Sequence, residues 1–292
     1  VSYGDRNVIE FGTTRFRTWA QVFGTIIDQH KRNQVVGYKA DSAGVSVGGD
    51  WRLTNEALVG AALSFNKVET LDYTSAQNRI DTWSYQATVY GWFEPWDKLY
   101  FDTMLAVASH KYDTLRNMQI GNYTANATAT FLGTQYGAQA DVGYAISQDN
   151  WYVAPYARFR YTYLDIGKYS ETGAGGINLN VKNSPIDEMI AGIGLRLAVN
   201  QNYQTAIYVP EASATLLYDF AGKEQQMQSS FLGGGGFFYI SSIKPAQLIQ
   251  LYSLGVTAYT NDGYVAQLKF NFEHREQLFG YNAFLQISYL WD

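Results

Sequence analysis

The stretch Ala283-Phe284-Leu285-Gln286-Ile287-Ser288-Tyr289-Leu290-Trp291 constrains the chain more than any other. Every second residue counted back from Trp291 (Tyr289, Ile287, Leu285, Ala283) is apolar, while Ser288 and Gln286 fall between them. A period of two sends these residues to opposite faces of a β-strand. Similar segments recur back to about residue 17. One soluble core would bury such a greasy row. A row that closes on an aromatic and repeats this often fits lipid on one face and a wet lumen on the other, the habit of a transmembrane β-barrel.

Composition supports the barrel over two small soluble domains, the other option open to 292 residues. Aromatics are 16% of the chain, with 24 Tyr, 16 Phe and 7 Trp, and charged residues are only 16%. A typical soluble domain carries about 25% charged residues. Aromatic girdles at two membrane interfaces account for the first excess. Mean hydropathy is slightly negative, because alternate strand residues face water. No apolar run reaches the roughly 18 residues of a membrane helix. Cysteine is absent, which suits export through an oxidising periplasm. The net charge of −5 argues against a nucleic-acid partner. No basic-then-apolar leader opens the chain, so a further segment is expected before Val1.

Period-two reading predicts twelve strands: Arg17 to Ile27, Ser42 to Trp51, Ala57 to Phe65, Trp83 to Phe93, Leu99 to Val107, Leu132 to Ile146, Trp151 to Tyr163, Ala191 to Val199, Ala206 to Tyr218, Leu248 to Tyr259, Tyr264 to Phe272 and Ala283 to Trp291. Val45, Val47, Val59, Leu63, Tyr136, Ala138 and Phe159 fall on lipid-facing rows, and Ser46, Asp50, Gln139, Asp141, Arg158 and Arg160 on inward ones. Short connections near Asn55, Asp97, Asp149 and Asp262 alternate with longer ones at 29–37, 72–80, 114–128, 167–184 and 223–244. That rhythm belongs to an up-and-down barrel with one rim of turns and one of loops. The expected fold is all-β, a 12-stranded antiparallel up-and-down transmembrane β-barrel at 15–292, preceded by a linker or lumen-segment remnant at 1–14.

Several motifs resemble a known family. The run from Tyr38 to Leu53, with Gly44-x-x-x-Gly48-x-Asp50, resembles the opening hairpin of the autotransporter β-domain. Ala140-Asp141-Val142-Gly143-Tyr144 resembles its glycine-tyrosine strand end, and Pro155 to Tyr161 its proline-led arginine strand. Glu171-Thr172-Gly173 resembles its Glu-x-Gly loop, and Gly192-Ile193-Gly194-Leu195-Arg196 its Gly-x-Arg strand. These run in order between about Trp19 and Trp291.

The resemblance implies type V secretion: an outer-membrane translocator and anchor that exports its own N-terminal passenger. It implies a helix in the lumen before the first strand, although Val1 to Thr14 is a poor helix former. It implies a monomer in the outer membrane of a Gram-negative bacterium, both termini periplasmic. The implied partners are outer-membrane lipid and lipopolysaccharide, barrel assembly machinery and periplasmic chaperones. Leu285, Ile287, Tyr289 and Trp291 would form the assembly signal, with Asp292 a departure from the usual aromatic end.

Some relatives in that family cut themselves inside the lumen with a linker Asn and acidic residues. Asp102 and Asp141 stand at acidic positions of that subclass, but Arg158 replaces a third acid and only Asn7 is available upstream. The favoured expectation is a charge-compensated lumen network of Asp50, Asp102, Asp141, Arg158, Arg160, Glu188, Arg196, Glu211, Lys269 and Glu273. His30, His110 and His274 lack ligand spacing, so neither metal nor other cofactor is expected. Gly233 to Gly236 lacks the Lys-Ser/Thr of a phosphate loop. The competing class is a free-standing pore, adhesin or lipid-modifying barrel, for which no Ser motif nominates a nucleophile. A soluble β-sandwich or lipocalin is the third.

Overall fold

The computed structural model describes residues 16–291 apart from Gln34 and Ser75. Twelve strands form the wall: β1 Phe16–Gln29, β2 Tyr38–Thr54, β3 Ala57–Asp72, β4 Arg79–Trp96, β5 Leu99–Ile120, β6 Tyr123–Tyr144, β7 Trp151–Ile166, β8 Ile186–Val199, β9 Ala206–Asp219, β10 Leu248–Thr260, β11 Tyr264–Arg275 and β12 Leu278–Trp291. Each pairs antiparallel with its chain neighbour, and β12 pairs with β1 along all 14 residues of β1. The ladder therefore closes and the wall has no edge, the condition for a β-structure to sit in lipid.

Alternation decides which side chains meet lipid. On β2, Val45, Val47 and Trp51 are exposed, while Ser46 and Asp50 are buried. At the end where β1 begins and β12 finishes, aromatics gather outside. Phe16 lies 5.4 Å from Trp51, Tyr264 5.0 Å from Tyr289, and Tyr289 4.8 Å from Trp291. Trp291 Nε1 donates to Thr18 Oγ1 at 2.9 Å, joining the last strand to the first. This rim carries the tight turns, including Asp97-Lys98, where Lys98 holds a φ of 69° and its N–H meets Glu94 Oε1.

The opposite rim departs from the expected loops. The predicted link at 114–128 is strand: β5 and β6 run on as one hairpin to a turn at Gly121, whose φ is 59°. The reason is visible in the residues. Past the lipid zone neither face needs to be apolar, so Thr124, Asn126 and Thr128 line one face and Ala125, Ala127 and Ala129 the other, and the greasy-row signal vanishes while strand propensity persists. The loops at 167–185 and 220–247 also contain structure. Short strands Tyr169–Ser170, Leu179–Asn183, Gln226–Phe231 and Phe238–Ser241 make a separate four-stranded sheet.

That sheet is clamped to the hairpin. The Arg116 guanidinium donates to both oxygens of buried Glu171, whose Oε2 also accepts the Leu179 N–H at 2.9 Å. Tyr169 stacks on Phe131 at 4.0 Å, and Thr128 and Thr172 exchange backbone hydrogen bonds. Burial, and then the Glu171 charge, push the Tyr169 phenol above its usual range. The Glu-x-Gly motif is thus structural, because Glu171 fixes the loop and Gly173 turns it at a φ of 100°.

Candidate functional site, the barrel lumen

Polar residues alone do not line the inward face, contrary to what strand alternation predicts. Trp92, Tyr100, Tyr152, Val209, Tyr259 and Val265 are buried together toward the short-turn end, with Ala145, Ala154 and Ala198 filling between them. These inward aromatics supply an apolar core to one arc of the lumen, and only part of the aromatic excess belongs to the girdles. Beside them a cavity of about 400 Å³ stays polar, bordered by Arg17, Gln21, Gln86, Asp102, Gln139 and Arg196 among others.

Four of the family-like glycines, Gly44, Gly48, Gly143 and Gly194, and also Gly60, are seats for inward rings. Trp19 faces Gly48 directly across the β1–β2 ladder, and a Cβ on Gly48 would lie 2.5 Å from the indole. Phe23 rests on Gly44, Tyr90 on Gly60, Tyr100 on Gly143 and Tyr156 on Gly194, each with an added Cβ within 2.5 Å of the ring. Real Cβ contacts do not come so close, so only glycine admits the ring there.

All ten residues of the expected charge network stand on inward positions, but as separate groups. Arg17 clasps Asp50 at 2.9 Å, and Tyr90 donates to the same carboxylate at 3.1 Å. Arg158 grips both oxygens of Asp141, at 2.8 and 2.6 Å, with Asp102 directly across the ladder from Asp141. The Arg158 and Arg196 guanidiniums sit 5.5 and 5.4 Å from the Tyr156 ring, which is held between two cations. Lys269 pairs with Glu211 at 2.7 Å. Nearer the loop rim, Glu188 receives Arg160 and Arg275, and Arg275 also reaches Glu273. Arg17 and Arg275 escape a reading of the sequence because their partners are set by cross-strand register and barrel closure. Polar ladders complete the wall: Ser253, Asn271, Asn282 and Thr25 form one hydrogen-bonded line across four strands.

Candidate catalytic groups fare poorly here. Asp141 is 2% exposed and saturated by Arg158, so it is no free base for peptide cleavage; Asn7 lies outside the described residues. Ser84 Oγ stands 2.8 Å from His110 Nδ1, and His110 Nε2 3.3 Å from Gln135 Oε1. Ser84 lies between two paired strands whose ladders engage the backbone on both sides, which leaves no pair of N–H groups for an oxyanion hole. Among the described residues no cluster of three His, Asp or Glu could hold a metal. Gly233 to Gly236 caps a loop, where Gly233 N–H bonds Gly176 O at 2.8 Å.

A closed barrel of twelve strands, apolar outside and charge-compensated within, defines an outer-membrane β-barrel protein. Its wall matches solved translocator barrels. Against the translocator domain of autotransporter NalP from Neisseria meningitidis the TM-score is 0.75 at 14% identity, covering 98% of this chain and 91% of that one. Against the beta domain of the Bordetella autotransporter BrkA it is 0.66 at 14%, covering 95% and 100%. Residues 18–271 match the family described as Autotransporter beta-domain, so the chain belongs to the autotransporter β-domain family, an outer-membrane translocator domain of Gram-negative bacteria. It is also 24% identical over 275 residues to Outer membrane protein A of Rickettsia conorii, covering 88% of this chain but only 13% of that relative.

Proposed function

We propose that the barrel inserts with its short-turn rim in the periplasm, receives its passenger there, and passes it through the lumen to the cell surface. The observation that carries this is the shared rim of Phe16 and Trp291, which pair directly, opposite a rim bearing the structured loops. Both ends of the wall then start on the side from which an exported chain arrives. A lumen lined by Arg17, Gln21, Gln86 and Gln139 tolerates polar backbone that lipid would reject. The segment at 1–14, outside the described residues, serves as the linker between passenger and barrel.

The lumen charges hold the wall rather than cut the chain, and Asp102 and Asp141 take no part in self-cleavage. Leu285, Ile287 and Trp291, exposed on the last strand, with Tyr289 beside them, form the signal read by the barrel assembly machinery after periplasmic chaperones deliver the chain. The barrel works as a monomer. Surface display tests the reading. A passenger with a signal peptide is joined to the barrel through a helical linker, and protease is added to intact Gram-negative cells. Cleavage of the passenger at the surface supports the reading. A folded barrel with a protected passenger refutes it in favour of a free-standing pore.

A further inference from the structure

The short-turn end of the lumen is lined unlike the rest of it. The apolar cluster built on Trp92, Tyr100, Tyr152 and Tyr259 draws its members from β4, β5 and β7 to β11, and Leu58 of β3 and Leu290 of β12 pack against it. It therefore runs most of the way around the barrel. Its members on strands stand at most four residues from the short-turn end of their strand. At about 3.3 Å per residue and roughly 40° of tilt, that makes a collar about 10 Å deep.

Among the described residues β1 and β2 give the collar no member, and a buried salt bridge stands in the gap. Arg17 and Asp50 face each other across that ladder at 2.9 Å. Tyr90 leans over them, donating to Asp50 at 3.1 Å and accepting from Trp19 Nε1 at 2.8 Å. Farther in, the lining changes character. Gln21, Gln86 and Gln139 border the polar cavity, and Trp92 belongs both to that border and to the collar.

A ring lying on the wall of an open lumen presents one face to water. Tyr100 and Tyr259 are 0 and 2% exposed, and Trp92 and Tyr152 are buried with them, so neither face of these rings meets solvent. Tyr85, outward on the same wall, is 58% exposed. Tyr100 is also held in place by its glycine seat on β6, Gly143. An apolar constriction expels water, and a dewetted stretch blocks ions without any fixed charge.

From this we infer that the collar is the gate of the conduit: Trp92, Tyr100, Tyr152 and Tyr259 seal the lumen against water and ions, and an entering chain passes only by parting them. With the orientation proposed above, on which this assignment rests, the collar stands at the periplasmic entrance and is the first lumen surface an exported chain meets. Aromatic rings suit a gate for polypeptide. They hold a passing segment by no ion pair, and they close behind it by burying one another's apolar surface.

Ion conductance of the purified full chain in planar lipid bilayers reads the gate without a passenger. The native barrel should conduct little. Tyr100→Ala with Tyr259→Ala should raise the conductance at least fivefold, while Tyr100→Phe with Tyr259→Phe, which keeps the rings, should leave it low. Tyr85→Ala with Tyr136→Ala, the same change on the lipid face, should also leave it low. Removal of residues 1–14 should not open the barrel, since the seal lies in the wall.

A native conductance equal to that of the alanine pair, with the heat-dependent gel shift of both intact, overturns the inference. So does a barrel that opens on loss of residues 1–14 alone, which assigns the seal to the segment ahead of the wall. Should the alanine pair fail to fold, Trp92→Ala with Val265→Ala is read in its place. No passenger enters the measurement, so failed surface display leaves the conductance result standing, and a freely conducting native barrel leaves the display result standing.

Discussion

Gly143→Ala sets two physical effects against each other with opposite signs. In a strand, alanine is favoured over glycine by roughly 0.5–1 kcal/mol, since glycine loses more freedom on folding. Structure argues the other way. The new Cβ would lie 2.3 Å from both Cζ and Oη of Tyr100 and 2.6 Å from Cε1. Tyr100 is 0% exposed and packed among Trp92, Tyr152 and Tyr259, so its ring cannot swing aside. Overpacking of this kind costs about 1–3 kcal/mol, and the net expectation is a loss of about 1–2 kcal/mol.

Denaturant unfolding in lipid vesicles, followed by tryptophan fluorescence and by the heat-dependent gel shift, reads it directly. Gly137→Ala is the control, because its Cβ would find only Ala106 at 3.9 Å and should be neutral or mildly stabilising. In a Tyr100→Ala background, Gly143→Ala should lose its penalty and become stabilising. If Gly143→Ala stabilises the intact barrel, or costs the same with and without the tyrosine ring, the ring-seat explanation of the family glycines is wrong.

Other outcomes follow from the same geometry. Val47→Arg and Ala138→Arg, on lipid-facing rows, should each cost about 2–4 kcal/mol, while Gln86→Arg in the polar cavity should cost far less in the same unfolding assay. Arg158→Ala should cost about 3–5 kcal/mol by stranding Asp141, and adding Asp141→Asn should recover much of it; additive losses would show that the pair is not coupled. Arg116→Ala should expose the 167–185 loop to protease with no change in the barrel's unfolding midpoint, a result visible by limited digestion of intact vesicles. Unheated protein in SDS should migrate faster than boiled protein, and identical mobilities would contradict a closed wall.

The wall is legible in the sequence because lipid forces one face of every strand to be apolar, and a period of two survives in a single chain. Val45, Val47 and Leu63 can be assigned outward on that ground alone. The loop rim is not legible: beyond Thr114 one face of the hairpin is polar and the other carries only small alanines beside Arg116 and Met118, so its strands show no row of large apolar side chains. The inward positions of the ten charged lumen residues can be read from parity. Their partners cannot, since Arg17 meets Asp50, and Arg275 meets Glu188, through registers that no local pattern encodes. The aromatic core escapes for a different reason. Tyr100, Tyr152 and Tyr259 look like more of the girdle composition, although their alternation already places them opposite the lipid rows.

Strand faces cannot by themselves choose among registers. A slip of one residue turns every side chain to the wrong medium, but a slip of two keeps lipid rows in lipid and lumen rows inside. The rings on glycines remove that ambiguity. Displaced by two residues, Trp19 would land on Ser46 or Asp50 in place of Gly48, and Tyr100 on Asp141 or Ala145 in place of Gly143. Each mismatch drives a ring into a side chain or a carboxylate. The ladder joining β1 to β2 and the one joining β5 to β6 therefore each carry their own check on alignment, and a wall assembled two residues out of step would be rejected from inside.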